Sequence, residues 1–202
     1  VLKQTVMLSI VRNEITEASQ LPVNPTEISD WLFNTLTPIF VIRNPMLQIP
    51  SLYRGMTEGT QIRPGDEDFI IMSTLKCSRL LFENSRANGR HPITVDGDDV
   101  LWRTQDVASG VCKILKIDPL ELREKWKPMT LQEHTWPALR EFTKTIQEST
   151  GIERPAARPK DPSLDTEFRK WANQWGADIA AQLKERVVAE MPHYYYMSQF
   201  KV

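Results

Sequence analysis

The stretch Thr37-Pro38-Ile39-Phe40-Val41-Ile42-Arg43-Asn44-Pro45-Met46-Leu47-Gln48-Ile49-Pro50-Ser51-Leu52-Tyr53-Arg54 decides how the chain is read. Ile39 to Ile42 is an unbroken apolar run of β-branched and aromatic residues, which predicts a strand covered on both faces within a parallel sheet. The run ends in a charge. Arg43 therefore falls at the carboxyl end of a buried strand, and in open α/β sheets that rim is where ligands bind. A new element starts at Pro45 and predicts a helix over about 46–57. Pro50 is tolerable near its first turn, and Ser51 follows Arg43 by eight residues.

An arginine and a serine so placed can converge on an anion. The guanidinium is a planar fork of donors matched to phosphate oxygens, and the hydroxyl adds a further short donor. A partly buried arginine is unfavourable unless something pairs it. A bound anion satisfies it, and so does a structural ion pair with a nearby Asp or Glu. Spacing alone leaves both open.

Outward from this stretch, residues 1–11 alternate as a strand does. Leu2, Val6, Leu8 and Ile10 share one face, interrupted by Gln4, and Val1, Lys3, Thr5 and Met7 share the other. Residues 12–25 are polar and proline-bearing, which makes them a surface connection or a substrate loop. A short helix follows Pro25, capped by Thr26 or Asn24. Asp66-Glu67-Asp68 opens a helix running to about Asn84, its acidic start favoured by the helix dipole. His91 to Asp96 reads as a second strand with Gly97-Asp98-Asp99-Val100 as its turn, and a helix occupies about 105–116. Asp118-Pro119 caps and starts another. Pro137 to Ser149 reads as a helix stopped by Gly151. Residues 153–163 carry three prolines and read as a linker. Beyond them Phe168, Trp171, Trp175, Ile179, Leu183 and Val187 trace the stripe of one long helix over about 164–190. Strands alternating with helices predict an α/β protein with a parallel sheet. The domain plan is thus an α/β domain over 1–152, a linker at 153–163, and a helix and tail at 164–202 packed on the same domain.

With 202 residues the chain can bury a sizeable core. Lys and Arg number 25 against 26 Asp and Glu, a net charge of −1, so no global basic field recruits nucleic acid or an anionic membrane. Any anion site must be local. No apolar run reaches the ~18 residues of a membrane span. Cys77 and Cys112 lie inside helical apolar patterns without a Cys-x-x-Cys spacing, which predicts packed, reduced thiols and a soluble cytoplasmic protein. His91, His134 and His193 lack metal-ligand spacing, so no metal is expected. Asp96, Asp98 and Asp99 after a strand could bind Mg²⁺, but capping and turn formation explain them more simply. His193 heads the run Tyr194-Tyr195-Tyr196, which borders a pocket or packs on the sheet edge.

The string Phe40-Val41-Ile42-Arg43-Asn44-Pro45, followed by Ile49-Pro50-Ser51-Leu52-Tyr53-Arg54, resembles the fungal sulfotransferase-like branch of the P-loop nucleoside triphosphate hydrolase superfamily. The resemblance runs from Lys3 to about Ile152. It implies a three-layer parallel sheet of the P-loop and sulfotransferase type with a long C-terminal helical extension. It also implies transfer of a sulfuryl group from 3′-phosphoadenosine 5′-phosphosulfate to a hydroxyl of a small molecule, in secondary metabolism. Arg43 and Ser51 match the residues that hold the 3′-phosphate in that family. Lys3 matches the lysine that contacts the bridging oxygen of the leaving group. Thr5 stands where the family has its catalytic histidine, and a hydroxyl of high pKa is a poor general base; Glu14 and His193 are the alternatives. Lys116 replaces a glycine usual in the family.

A glycine-rich phosphate cradle at a helix start does not occur in this sequence. The chain opens at Val1, inside a strand, and reads as part of a longer protein whose cradle precedes it. Thr5 and the cradle leave room for a second reading: an enzyme repurposed on this scaffold, such as a cyclase, isomerase or dehydratase, that does not use the sulfuryl donor. A partner-docking module built on the Trp-rich last helix and a small-molecule kinase are the remaining alternatives. Oligomeric state and acceptor identity are not encoded in these motifs.

Overall fold

A computed structural model describes residues 24, 26, 28–57, 61–128, 143–145, 147–154, 156 and 162–202. The predicted strand at 1–11 and the candidates Lys3, Thr5 and Glu14 lie outside the described residues, as do most of loop 12–25, most of linker 153–163 and the first part of the helix predicted at 137–149.

Helix α1 (Asp30–Thr35) is capped by Ser29, whose hydroxyl accepts from the Leu32 amide. Strand β1 (Ile39–Ile42) follows. Helix α2 (Pro45–Thr57) starts where Asn44 accepts from the Met46 amide at 2.9 Å, with Pro45 at the first helical position. Helices α3 (Glu67–Ser73) and α4 (Lys76–Ala87) carry the chain back to strand β2 (Ile93–Asp96). The single helix expected from Asp66 to Asn84 is thus two. The break falls at Thr74 and Leu75, where a buried carboxylate from far along the sequence replaces the helical acceptor: Glu190 Oε2 accepts from the Leu75 amide at 2.7 Å and from the Thr74 hydroxyl at 3.2 Å.

Gly97 to Val100 is not a turn. It opens helix α5 (Gly97–Trp102), because the Asp96 carboxylate caps the Asp98 amide as soon as the strand ends. Helix α6 (Thr104–Leu115) closes at Lys116, which adopts the left-handed conformation, φ 58°, that glycine adopts without strain. Asp118 and Pro119 begin only one turn of 3₁₀-helix, Pro119–Glu121. The long stripe beyond Leu164 is divided as well, into α7 (Leu164–Trp175) and α8 (Ala177–Ser198), by Gly176 at φ 87° and ψ 162°.

The sheet corrects the expected fold class. Among the described residues it has two strands, β1 and β2, parallel and in the register Ile39 with Ile93 to Ile42 with Asp96, rather than the three-layer parallel sheet of the P-loop and sulfotransferase type. The outer edge of β2 is taken by a single residue, Lys201, bridging Thr94 in parallel, with the Val202 amide donating to the Thr94 carbonyl at 3.0 Å. Nor is β1 covered on both faces among the described residues. Phe40 and Ile42 pack against Phe82 and Met197, whereas Ile39 and Val41 are 47% and 56% exposed. The register explains the asymmetry. Ile39 and Val41 share a face with Ile93 and Val95, and α6 packs on that face over β2 through Val107, Val111 and Leu115.

The largest core therefore sits among helices. Ile49, Tyr53 and Met56 of α2 meet Phe69 of α3, Trp171 of α7, and Ala180, Leu183 and Val187 of α8. The Tyr53 ring stands edge-on to Phe69 and to Trp175, the geometry that aromatic quadrupoles favour. No helix among the described residues is long and apolar enough to cross a membrane.

Candidate functional site

Arg43 leaves the sheet at the end of β1, with Ile42 buried behind it and α5 opening beside it. A Cβ added at Gly97 would lie 4.0 Å from both Cβ and Cδ of Arg43, so the arginine stem runs over the first residue of α5. Its side chain is 43% exposed. The ion pair it makes among the described residues is with Asp98, Nε to Oδ1 at 3.6 Å, too long for a hydrogen bond. The structural-partner alternative left open by the sequence is thus realised only loosely, between two groups that both keep access to solvent.

Ser51 lies on the exposed side of α2, between the buried Ile49 and Pro50 on one side and Tyr53 on the other. Six residues beyond Pro45, it is displaced about 9 Å along the helix axis. Seven residues is roughly two helical turns, so Ser51 falls on the same face as Asn44 at the helix entry. No bond joins Ser51 to Arg43. The structure brings the two to the solvent side of one strand-helix unit without drawing them into contact.

Around Arg43 the rim is a charged network that sequence reasoning assembled only in part. Asp96, 2% exposed, caps α5 and accepts from the Tyr194 hydroxyl at 2.8 Å. Asp99, 5% exposed, pairs with Lys201 Nζ at 2.7 Å and lies 3.8 Å from Arg103. Lys201 also stands 3.7 Å from Asp96. Burial, reinforced by the hydrogen bond to Asp96, holds the Tyr194 phenol well above its ordinary pKa, so it stays a neutral donor. The three aspartates are each committed to protein groups, two of which, Tyr194 and Lys201, arrive from the end of the sequence. Sequence spacing carried no signal for Lys201. Its place is fixed by a one-residue sheet bridge and by Val202, which reaches the core of Ile93, Val95 and Val107.

His193, an alternative base, is turned away from this rim. Its surroundings are α4 and α8: Glu190, Arg79, Lys76 and Glu83. Its Nδ1 is buried without a hydrogen-bond partner, and burial pushes its pKa below the ordinary imidazole value. Cys77 and Cys112 are free and buried, and burial pushes the Cys77 thiol up, which suits packing rather than nucleophilic chemistry.

Comparison with known proteins points the same way as the motif at Arg43. The chain is 26% identical to "Sulfotransferase ppzF" of Metarhizium majus (strain ARSEF 297) over 190 residues, 87% of this chain and 55% of the relative. The same identity and coverage relate it to "Sulfotransferase ppzF" of Metarhizium rileyi (strain RCEF 4871). The chain spans about half the length of the curated relatives it matches. No family model matches, and no solved structure matches. The chain is a distant relative of fungal sulfotransferases.

Proposed function

We propose that this chain contributes to a sulfotransferase that moves a sulfuryl group from 3′-phosphoadenosine 5′-phosphosulfate to a hydroxyl of a small molecule, with Arg43 binding the 3′-phosphate of the donor. The observation that carries this reading is the half-exposed Arg43 guanidinium at the carboxyl end of β1, held by a contact no closer than 3.6 Å. A phosphate oxygen at hydrogen-bond distance would displace that contact and gain a charge-assisted, forked pair. The names of the two Metarhizium relatives support the reaction class. Ser51 adds a donor along the same helix face. Lys3 would contact the bridging oxygen, and Thr5 would border the acceptor hydroxyl. When bound, the donor supplies the sulfuryl group; the chain's own part is to hold its ribose phosphate against α2.

Titration calorimetry with adenosine 3′,5′-bisphosphate tests this. Binding is expected, and Arg43→Ala should weaken it by about 1.5–3 kcal/mol, the range for a hydrogen bond to a charged group. No heat with the full-length protein, or unchanged affinity in Arg43→Ala, overturns the assignment. Thr5 in place of a base favours a second reading, a repurposed enzyme that turns over its substrate without a sulfuryl donor. Product formed by extensively dialysed protein, with no donor added, would select it.

A further inference from the structure

Arg90 lies between α4 and β2, at the amino end of the sheet and opposite the rim where Arg43 leaves it. Its guanidinium meets α1 through Phe33. Nη1 donates to the Phe33 carbonyl, and the guanidinium carbon stands 4.5 Å from the centre of the Phe33 ring. Nε and Nη2 are buried, and neither has a hydrogen-bond partner among the described residues. No neighbouring charge acts on the group either: burial is the sole influence on its pKa, which it lowers. A cation shut away from water with donors unmet is costly. These two nitrogens therefore call for an acceptor.

Their positions define it. In a guanidinium the Nε–H and one Nη2–H lie side by side and parallel, forming the edge that grips a carboxylate through two hydrogen bonds. The Phe33 carbonyl occupies Nη1 and leaves that edge whole. Charge narrows the choice further. A phosphate monoester carries about −1.5 to −2 at pH 7, whereas among the described residues no second cation acts at this place. One guanidinium balances one carboxylate. The Phe33 ring beside the fork is apolar surface, which suits a carboxylate borne on an apolar body. Entry is by way of α1, since Phe33 is the single buried residue among its six. So short a helix can shift off the fork at little cost in buried area.

We infer that Arg90 anchors a binding site for a small monocarboxylate with an apolar body, gripped side-on by Nε and Nη2. The site is independent of Arg43 and of the sulfuryl-transfer reading.

Calorimetry on the whole protein tests it with benzoate and with benzamide, which keeps the ring and loses the charge. Benzoate should bind about tenfold or more tightly, the factor by which a charge-assisted hydrogen bond exceeds a neutral one. Arg90→Lys keeps the charge and loses the parallel pair of donors, so benzoate affinity should fall by about tenfold in a variant with the parent's helical circular dichroism. In Arg43→Ala, which takes the other arginine out of play, benzoate should bind as it does to the parent and more tightly than phenyl phosphate. No benzoate binding, equal affinity for benzoate and benzamide, affinity kept in Arg90→Lys, affinity lost in Arg43→Ala, or tighter binding of phenyl phosphate in that variant would each overturn the site. The comparison of benzoate with benzamide uses the parent protein, so it decides even where Arg90→Lys fails to fold. Failure here leaves the bisphosphate titration untouched, because that reading turns on Arg43.

Discussion

The residues that hold the described chain together are not the ones its motifs advertise. Glu190 is 4% exposed and carries three bonds: to the Leu75 amide, to the Thr74 hydroxyl, and to Arg186 Nη2 at 2.6 Å. It stitches α8 to the break between α3 and α4 and takes the place of a cap at the start of α4. Removing one partner of a buried ion pair leaves the other uncompensated, which costs about 3–5 kcal/mol. Glu190→Gln should lower the urea midpoint accordingly, and a midpoint within error of the parent would show the network to be dispensable. His193, one turn on, gives a pH signature. Its folded pKa is depressed below the unfolded value near 6.5, so neutral imidazole is the form the fold accepts. The associated stability is present above that value and lost as pH falls through 6.5 towards the folded pKa. His193→Gln should flatten the acid limb of the stability profile measured by denaturation between pH 7 and 5, with Glu190, Glu83, Arg79 and Lys76 as its charged surroundings. Lys116 offers a test of the opposite sign. A lysine in the left-handed region is strained by about 1–2 kcal/mol, part of which glycine gives back in chain entropy. Lys116→Gly should therefore stabilise by about 0.5–1 kcal/mol, seen as a rise in Tm.

Among the elements, the joints carry more information than the helices. The apolar stripe from Phe168 to Val187 keeps its three-to-four spacing across Gly176, yet the chain bends there because φ 87° with ψ 162° is open to glycine and closed to other residues. The bend lets α7 and α8 both pack on α2, joining Trp171 to Leu183 and Val187 in one core. Gly176→Ala should cost about 1–3 kcal/mol, read from chemical denaturation. A wild-type midpoint would mean the joint relaxes elsewhere. The tail after α8 is an element of another kind. Its four residues, Gln199 to Val202, bridge β2 through Lys201 alone, bring Lys201 to Asp99, and set Val202 against α6, where a Cβ on Gly110 would stand 3.1 Å from the valine Cβ. The missing side chain at Gly110 is what lets the tail lie so close.

At the scale of the whole molecule, periodicity in the sequence determined where most described helices and both strands lie. It also determined that Cys77, Phe69, Trp171 and Leu183 face inward, because those outcomes depend on neighbours three or four residues away. The rim position of Arg43 was legible for the same reason, since an apolar run that ends in a charge must end at an edge. Tertiary structure alone decided the rest. That α3 and α4 separate follows from Glu190, more than a hundred residues downstream, outbidding the local helical pattern. That Lys201 pairs with Asp99 and stands beside Asp96 follows from a sheet bridge that no spacing rule anticipates. The sheet itself was misread because a strand's apolar content shows that it can be covered, while the helices available to cover it are set by register: among the described residues α6 lies over β2 and leaves Ile39 and Val41 exposed. Local composition fixes what each segment is able to bury, and only the packed chain fixes what is there to bury it against.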